Sequence, residues 1–529
     1  MAIHSQISII VTPEQSSSKE LLKGEIAKKL GIKKSAIDKI QIVKKSIDAR
    51  SRKQIKVNLT LNVYTDGTPM APIHYPFIYQ DVKDSPKVII VGAGPAGLFA
   101  ALRLIELGLK PIVLERGKEV SERKKDIALL NRNNGLNIES NYCFGEGGAG
   151  TFSDGKLFTR SKKRGNGERI LLNFHQHGAQ DEILFEAHPH IGTDKLPTII
   201  KNMRQTILKY GGEVHFNAKV AELLIENNEI QGVKTSDGDL FYASNVILAT
   251  GHSARDIYHL LDNQGIALEA KGFAMGVRIE HPQSLIDKIQ YHCNDRCGNS
   301  LPAASYNLVT QVNGRGVYSF CMCPGGFIVP ASTYENECVV NGMSSSLRNS
   351  KFANSGFVVE IRPEDLTSYS KYGVLAGLKF QEEYEHLSFV NGGGNAVAPA
   401  QRVKDFVDGI ESKDLPQTSY IPGVISSPMH SWIPPFIRER LQEGLKEFDQ
   451  KMKGYLTNQA IIVGVESRTS SPIRIPRNPD TLQHIEINGL YPCGEGAGYA
   501  GGIMSAAVDG MVCAEFVIVH NNEDSMTQP

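Results

Sequence analysis

The stretch that decides the fold is KVIIVGAGPAGLFAALRLIELGLKPIVLERG, residues 87–117. An apolar strand, a glycine turn, a helix and a second apolar strand follow one another there, which reads as one parallel βαβ unit. Gly92, Gly94 and Gly97 form GxGxxG between strand and helix, and Pro95 and Ala96 open the helix. The first glycine permits a tight turn, the second lets backbone approach a pyrophosphate, and the third lets helix and strand pack closely. Unpaired N–H groups and partial positive charge at the helix start suit phosphates. Glu115, at the end of the second strand, is placed to accept hydrogen bonds from a ribose diol, and Arg116 beside it leaves room for a 2′-phosphate. Together these residues indicate a dinucleotide, with FAD and NAD(P) not yet separated.

Outward from this unit the chain divides into four pieces. Residues 1–82 read as a small α+β module of ferredoxin-like type: strand 3–11, helix 17–30, alternating strand 55–64, then a proline-rich linker, PIHYPFIYQDVKDSP. Residues 83–260 form the first part of a Rossmann-type α/β domain, 261–455 an inserted α+β substrate domain, and 456–529 the returning second part. With 529 residues the chain is long enough for several cores, and its fifty glycines suit a large cofactor approached by backbone.

Basic and acidic residues balance at 57 each, so no global field draws the protein to nucleic acid or to an anionic surface. Residues 1–56 are the exception, with thirteen Lys or Arg against five acids, read as a solvated face. The start MAIHSQISIIVTPEQ lacks a signal pattern and no apolar run approaches a bilayer span, so the expected location is cytoplasmic, with no membrane partner. Eight irregularly spaced cysteines do not read as a disulfide framework.

A second glycine cluster, FGEGGAGTFSDGKL (144–157), requires backbone close to something flat or anionic, with Gly150, Thr151, Ser153 and Lys156 as its cofactor-side candidates. VILATG (246–251) and GLYPCGEGAGYAGG (489–502) resemble the strand-to-glycine turn and the flavin-contacting turn of the glutathione-reductase-like flavoprotein superfamily. That resemblance implies FAD. It places Val220, Thr250, Gly251, Gly494, Glu495, Gly502, Ile503 and Met504 on the cofactor, with Glu495 where the superfamily usually has Asp. The strings GHSARD (251–256), GVRIEHPQ (276–283), FCMCPGG (320–326), NGMS (341–344), APAQR (398–402) and VESRTSSPIRI (465–475) are similar to the bacterial family of uncharacterised FAD-dependent, or NAD(FAD)-utilising, dehydrogenases.

On the substrate side, Arg468 is expected to hold an anionic group or stabilise developing charge. Glu280 with His281 forms a candidate acid–base pair, and His190 of the HPH run a candidate substrate contact. No metal site is expected, because the histidines lack a third ligand. Cys321 and Cys323 read as small buried strand residues, since residues i and i+2 of a regular strand lie about 6.5 Å apart and a bridge would need the chain to bend. The leading expectation is hydride transfer between the flavin N5 and a small organic substrate, with NAD(P)H as a transient reductant. The rival is a flavin-binding protein that acts through partner or RNA docking by the basic module.

Overall fold

A computed structural model describes residues 2–51, 54–65, 67, 69, 70, 72–133, 135–158, 166–293 and 296–526. The decisive sheet has five parallel strands in the order Leu490–Pro492, Val246–Leu248, Lys87–Val91, Lys110–Leu114, Glu213–His215. Parallel strands buried on both faces are apolar throughout, and Val88–Val91 and Ile112–Leu114 are all buried. The strand order reverses at Lys87–Val91, which places a crevice beyond the carboxyl ends of that strand and its neighbour Val246–Leu248. The helix Pro95–Glu106 packs on one face against the C-terminal helix Ile503–Met526, and the glycine-spaced chain allows it: a Cβ on Gly510 would overlap the Ala96 carbonyl oxygen. A three-stranded meander, Val220–Thr235 with Leu240–Tyr242, covers the other side.

Residues 273–466 supply a seven-stranded mixed sheet whose centre is the long pair Phe273–Pro282 and Phe352–Ile361, flanked by Ile461–Glu466 and Arg315–Cys323. Its core packs the helix Pro435–Lys451 through Ile437, Leu441, Leu445 and Phe448.

The N-terminal module is a three-stranded antiparallel sheet with Lys56–Thr65 between Ala2–Val11 and Ile37–Asp48, covered by the helix Lys19–Leu30 through Leu22, Ile26 and Ala27. A ferredoxin-like module would add a second helix and a fourth strand. The described residues after Thr65 run instead without regular structure and are pinned to the main body: Val82 donates to the Tyr210 carbonyl, and Tyr75 bonds His175. The exposed edge of Ile37–Asp48 is partly paired, because Lys45 and residues 185–187 exchange backbone hydrogen bonds. Among the described residues no helix is long and apolar enough to cross a membrane.

Candidate active site

The site is built from the turn after Lys87–Val91. Gly92 has φ +105°, a left-handed value that favours glycine, and a Cβ there would press on the Ala249 carbonyl. A Cβ on Gly97 would overlap the Gly92 carbonyl oxygen, so the third glycine is what lets helix and turn close. At Gly94 the nearest atom to an added Cβ is the Gly148 Cα at 3.9 Å, and the residue faces a cleft. That space is a cradle which any side chain would fill. Gly94 also caps the helix Pro95–Glu106 without a side-chain bond, leaving the first-turn N–H groups and the positive end of the helix open to the cleft. The helix Ile503–Met526 begins at the same cleft, with Gly502, Ile503 and Met504 in its wall. Two helix N-termini therefore meet one cavity, as a pyrophosphate and an electron-rich ring require.

Glu115 is buried at the head of the second strand and accepts the N–H groups of Ala93 (2.8 Å), Gly117 (2.9 Å) and Gly145 (2.9 Å). A carboxylate has about four acceptor sites, so one is left for a ribose hydroxyl. Arg116 lies over the Phe144 ring at 4.2 Å and bonds Glu139 at 2.5 Å and Asp256 at 2.8 Å. Lys219 shares the same two acids at 2.9 and 3.4 Å, so both cations are already paired and neither is set aside for a 2′-phosphate. The second glycine cluster closes the cleft from above, through Gly150, Ser153 and Lys156. Ser153 donates to the Gly150 carbonyl (2.7 Å) and accepts from Gly155 N–H (3.0 Å), and Thr151 donates to the Glu146 carbonyl (3.1 Å), so these hydroxyls shape their own loop. Lys156 donates to the Met322 carbonyl across the cleft. Val220, Thr250, Gly251, Gly494 and Glu495 complete the lining. Glu495 is bonded by His252 Nδ1 at 3.0 Å; burial works against its charge, and the His252 bond holds its carboxyl below the usual range.

Sequence reasoning missed Arg123. Its fully buried guanidinium donates to the carbonyls of Asn141, Tyr142, Gly145 and Glu146 and so holds the shape of the glycine loop. It sits unmarked in the charged run SERKKD, where no local signal separates it from its exposed neighbours.

The four substrate-side candidates are not brought together. Arg468 lines the cleft, but its Nη2 bonds Glu337 (2.6 Å) and Glu385 (2.8 Å) and its Nη1 bonds Thr333 (2.6 Å). Arg255, at the start of the helix Arg255–Asn263, reaches the same two carboxylates at 3.0 and 2.6 Å. The result is a buried square of two arginines and two glutamates joining the dinucleotide sheet to the mixed sheet. Burial opposes charge on Glu385, yet the Arg255 and Arg468 guanidiniums hold its carboxyl down to about 2. Glu280 and His281 are neighbours in the strand Phe273–Pro282, away from the cleft, and have separate partners. Glu280 accepts from the Ser419 amide (2.9 Å) and hydroxyl, and burial pushes it up to about 7. His281 Nε2 bonds the Tyr455 carbonyl at 2.8 Å, and burial pushes the ring down to about 4. No acid–base pair is formed, because each is held by a different neighbour. His190 sits beside Lys156 through a backbone bridge and bonds the Ser346 carbonyl at 3.1 Å.

Comparison with known proteins bears directly on this cleft. Residues 85–132 match the family described as "FAD binding domain", and residues 272–469 match "FAD-dependent protein, C-terminal domain-like". Residues 3–64 match a domain of unknown function, DUF8436. An "Uncharacterized protein" of Clostridium beijerinckii is 42% identical over 516 residues, covering 94% of this chain and 96% of that protein. The chain belongs to this family of FAD-dependent enzymes. A tRNA uridine 5-carboxymethylaminomethyl modification enzyme of Alkaliphilus metalliredigens is 30% identical over 172 residues, 31% of this chain and 24% of that one. Among solved structures, a geranylgeranyl bacteriochlorophyll reductase-like protein of Thermoplasma acidophilum has a TM-score of 0.35 at 14% identity, covering 83% of this chain and 80% of that chain. An L-proline dehydrogenase from P. horikoshii has 0.34 at 14%, covering 82% and 94%. Likeness at that level carries nothing about the substrate.

The wall of this flavoenzyme's cleft opposite the glycine turns comes from the strand Arg315–Cys323, and it departs from the sequence expectation. Phe320 pairs with Gly356 and Cys323 with Asn354, so Cys321 and Met322 together face Ser355 alone: a β-bulge. Cys321 takes φ +44° and lines the cleft. Behind it the fully buried Arg278 bonds both oxygens of Glu466 (2.9 and 3.0 Å), the Cys321 carbonyl (2.8 Å) and the Cys323 sulfur (3.4 Å). Burial works against the Arg278 charge and Glu466 outweighs it, so the guanidinium stays protonated. Among the described residues a tight cluster of metal-ligand types occurs at Cys493, Asp509 and Cys513, and the Arg477 guanidinium bonds Asp509 (2.6 and 3.0 Å) and Cys513 (3.4 Å).

Proposed function

We propose that the protein is an oxidoreductase of the glutathione-reductase-like superfamily that exchanges a hydride with a small organic substrate bound between the dinucleotide sheet and the mixed sheet. On this reading residues 83–260 and 456–529 form one discontinuous FAD domain, residues 261–455 the substrate domain and residues 1–82 a separate module. The observation that carries it is the meeting of two helix N-termini and two glycine turns at one cleft whose far wall is contributed by a different sheet. Bound FAD supplies two-electron chemistry that side chains lack. Gly94 and the N–H groups after it would hold the pyrophosphate, Glu115 a ribose hydroxyl, and Glu495 with His252 the ribityl side. The start of the helix Ile503–Met526 favours negative charge beside the ring. NAD(P)H is a transient reductant on this reading, since the chain holds a single complete βαβ fingerprint with its acidic residue.

The RNA-docking alternative has less to stand on where Lys45 pairs with Glu186 of the main body, while Lys28 and Lys34 pair with Glu25 and Glu20 of the module itself. Stopped-flow mixing with NADH and with NADPH tests the proposal: bleaching of the flavin band by either at a saturable rate is expected. A flavin that neither reduces, and that no small substrate reduces or reoxidises, would overturn it.

A further inference from the structure

Three places outside the proposed cofactor contacts hold paired reactive groups: Cys293 with Cys297, Cys493 with Cys513, and Cys321 with Cys323. The second is closed by Arg477, and the first lies away from the cleft. The third differs from both, because one member opens on the cleft while its partner is completely buried behind it.

We propose that Cys321 and Cys323 are a redox-active dithiol that exchanges an electron pair with FAD, giving the enzyme a second two-electron store beside its cofactor. The inference rests on FAD occupying the cleft. The spacing of a regular strand would keep these sulfurs apart, and the bulge breaks that spacing. Cys321 is forced into a left-handed conformation that residues with a Cβ rarely adopt, and the Arg278 bond to its carbonyl holds it there. The Cys323 thiol then donates to the Cys321 carbonyl at 3.3 Å.

The surroundings suit thiolate chemistry. Arg278 stands behind the pair, and Lys156 reaches the intervening Met322 carbonyl from the cleft side. The neighbouring Cys323 thiol, with the Lys156 and Arg278 charges, draws the Cys321 thiol down to about 5, while Cys323 is pushed up. One sulfur is thus the half-buried, cleft-side nucleophile and the other a buried resolving thiol. In the oxidising direction the Cys321 thiolate and the Cys323 thiol lose two electrons and one proton as one S–S bond forms. Oxidised FAD takes the electron pair and that proton. The reverse step returns the thiolate and the thiol.

The test is an anaerobic titration of the holoenzyme with dithionite, each point alkylated and its peptides weighed. Wild type should take up four electrons per FAD, with Cys321 and Cys323 bridged at the start and both alkylated at the end. Cys321→Ser with Cys323→Ser should take up two. Uptake of two electrons by wild type, with both cysteines alkylated throughout, would overturn the proposal. So would a four-electron uptake that persists in the double variant and moves the mass change to Cys293 and Cys297, whose sulfurs lie 2.8 Å apart. The wild-type masses decide the matter even if the variant fails to fold. Absence of a flavin band at the start would instead reject the FAD reading beneath, and leaves the masses to be read separately.

Discussion

Gly94, Glu280 and Arg468 show three different fates of a residue singled out in sequence. Gly94 keeps its expected place, facing the cleft with no atom nearer than 3.9 Å to an added Cβ. Gly94→Val should therefore purify without FAD while its far-ultraviolet circular dichroism stays close to wild type; a full complement of flavin by absorbance would remove the pyrophosphate from this turn. Glu280 turns out to be a buried carboxyl raised to about 7 by desolvation. A carboxyl raised in the folded state contributes stability below the unfolded value near 4.5 and loses it as pH rises through 7. Glu280→Gln lacks that titration, so its stability relative to wild type should improve between pH 5 and pH 8 by on the order of 3 kcal/mol, read from denaturant melts at both pH values. Arg468 is committed to Glu337, Glu385 and Thr333. Its removal leaves buried carboxylates short of a partner, and Arg468→Ala should lose about 3–5 kcal/mol in the same melts. Unchanged stability with turnover abolished would return its guanidinium to the substrate.

At the scale of elements, the pairing of the helices Pro95–Glu106 and Ile503–Met526 positions both N-termini at once. Gly510 makes the contact possible, since any Cβ there overlaps the Ala96 carbonyl oxygen. Gly510→Val should push the helices apart, lowering FAD affinity at least tenfold, about 1.4 kcal/mol, as measured by fluorescence of released flavin on dilution. An unaltered affinity would mean that the second helix start contributes nothing to the site. The bulge at Cys321 works at the same scale: one extra residue against Ser355 turns a wall of alternating side chains into one that aims a thiol at the cleft.

Across the whole molecule, the square of Arg255, Arg468, Glu337 and Glu385 ties the two large sheets together. Glu385, held down to about 2 by the two guanidiniums against burial, contributes stability above the unfolded value near 4.5 and loses it as pH falls toward 2. Glu337 in the same cluster is pushed up by burial and works in the opposite sense. Melting temperature should still fall as pH drops from 5 to 3, and Glu385→Gln should flatten that slope while starting from a lower stability at pH 7. A wild-type slope matched by the variant would place the acid sensitivity elsewhere.

The part of this fold that neighbouring residues dictate is local. The turn at Gly92–Gly97, the strand before it, the helix after it and the acid at Glu115 follow from backbone sterics and apolar period, both written in neighbouring residues. The end of the substrate side was not legible in this way. Glu280 and His281 are adjacent in sequence and yet meet Ser419 and Tyr455, residues more than a hundred positions away. Arg468 and Arg255 find the same two glutamates from opposite ends of the inserted segment. Cys321 and Cys323 looked like regular strand, because a bulge depends on the register against the strand Phe352–Ile361 and leaves no mark in FCMCPGG itself. Charge partners and register are long-range quantities, set by which surfaces the fold presses together, and so they emerge only once the chain has packed.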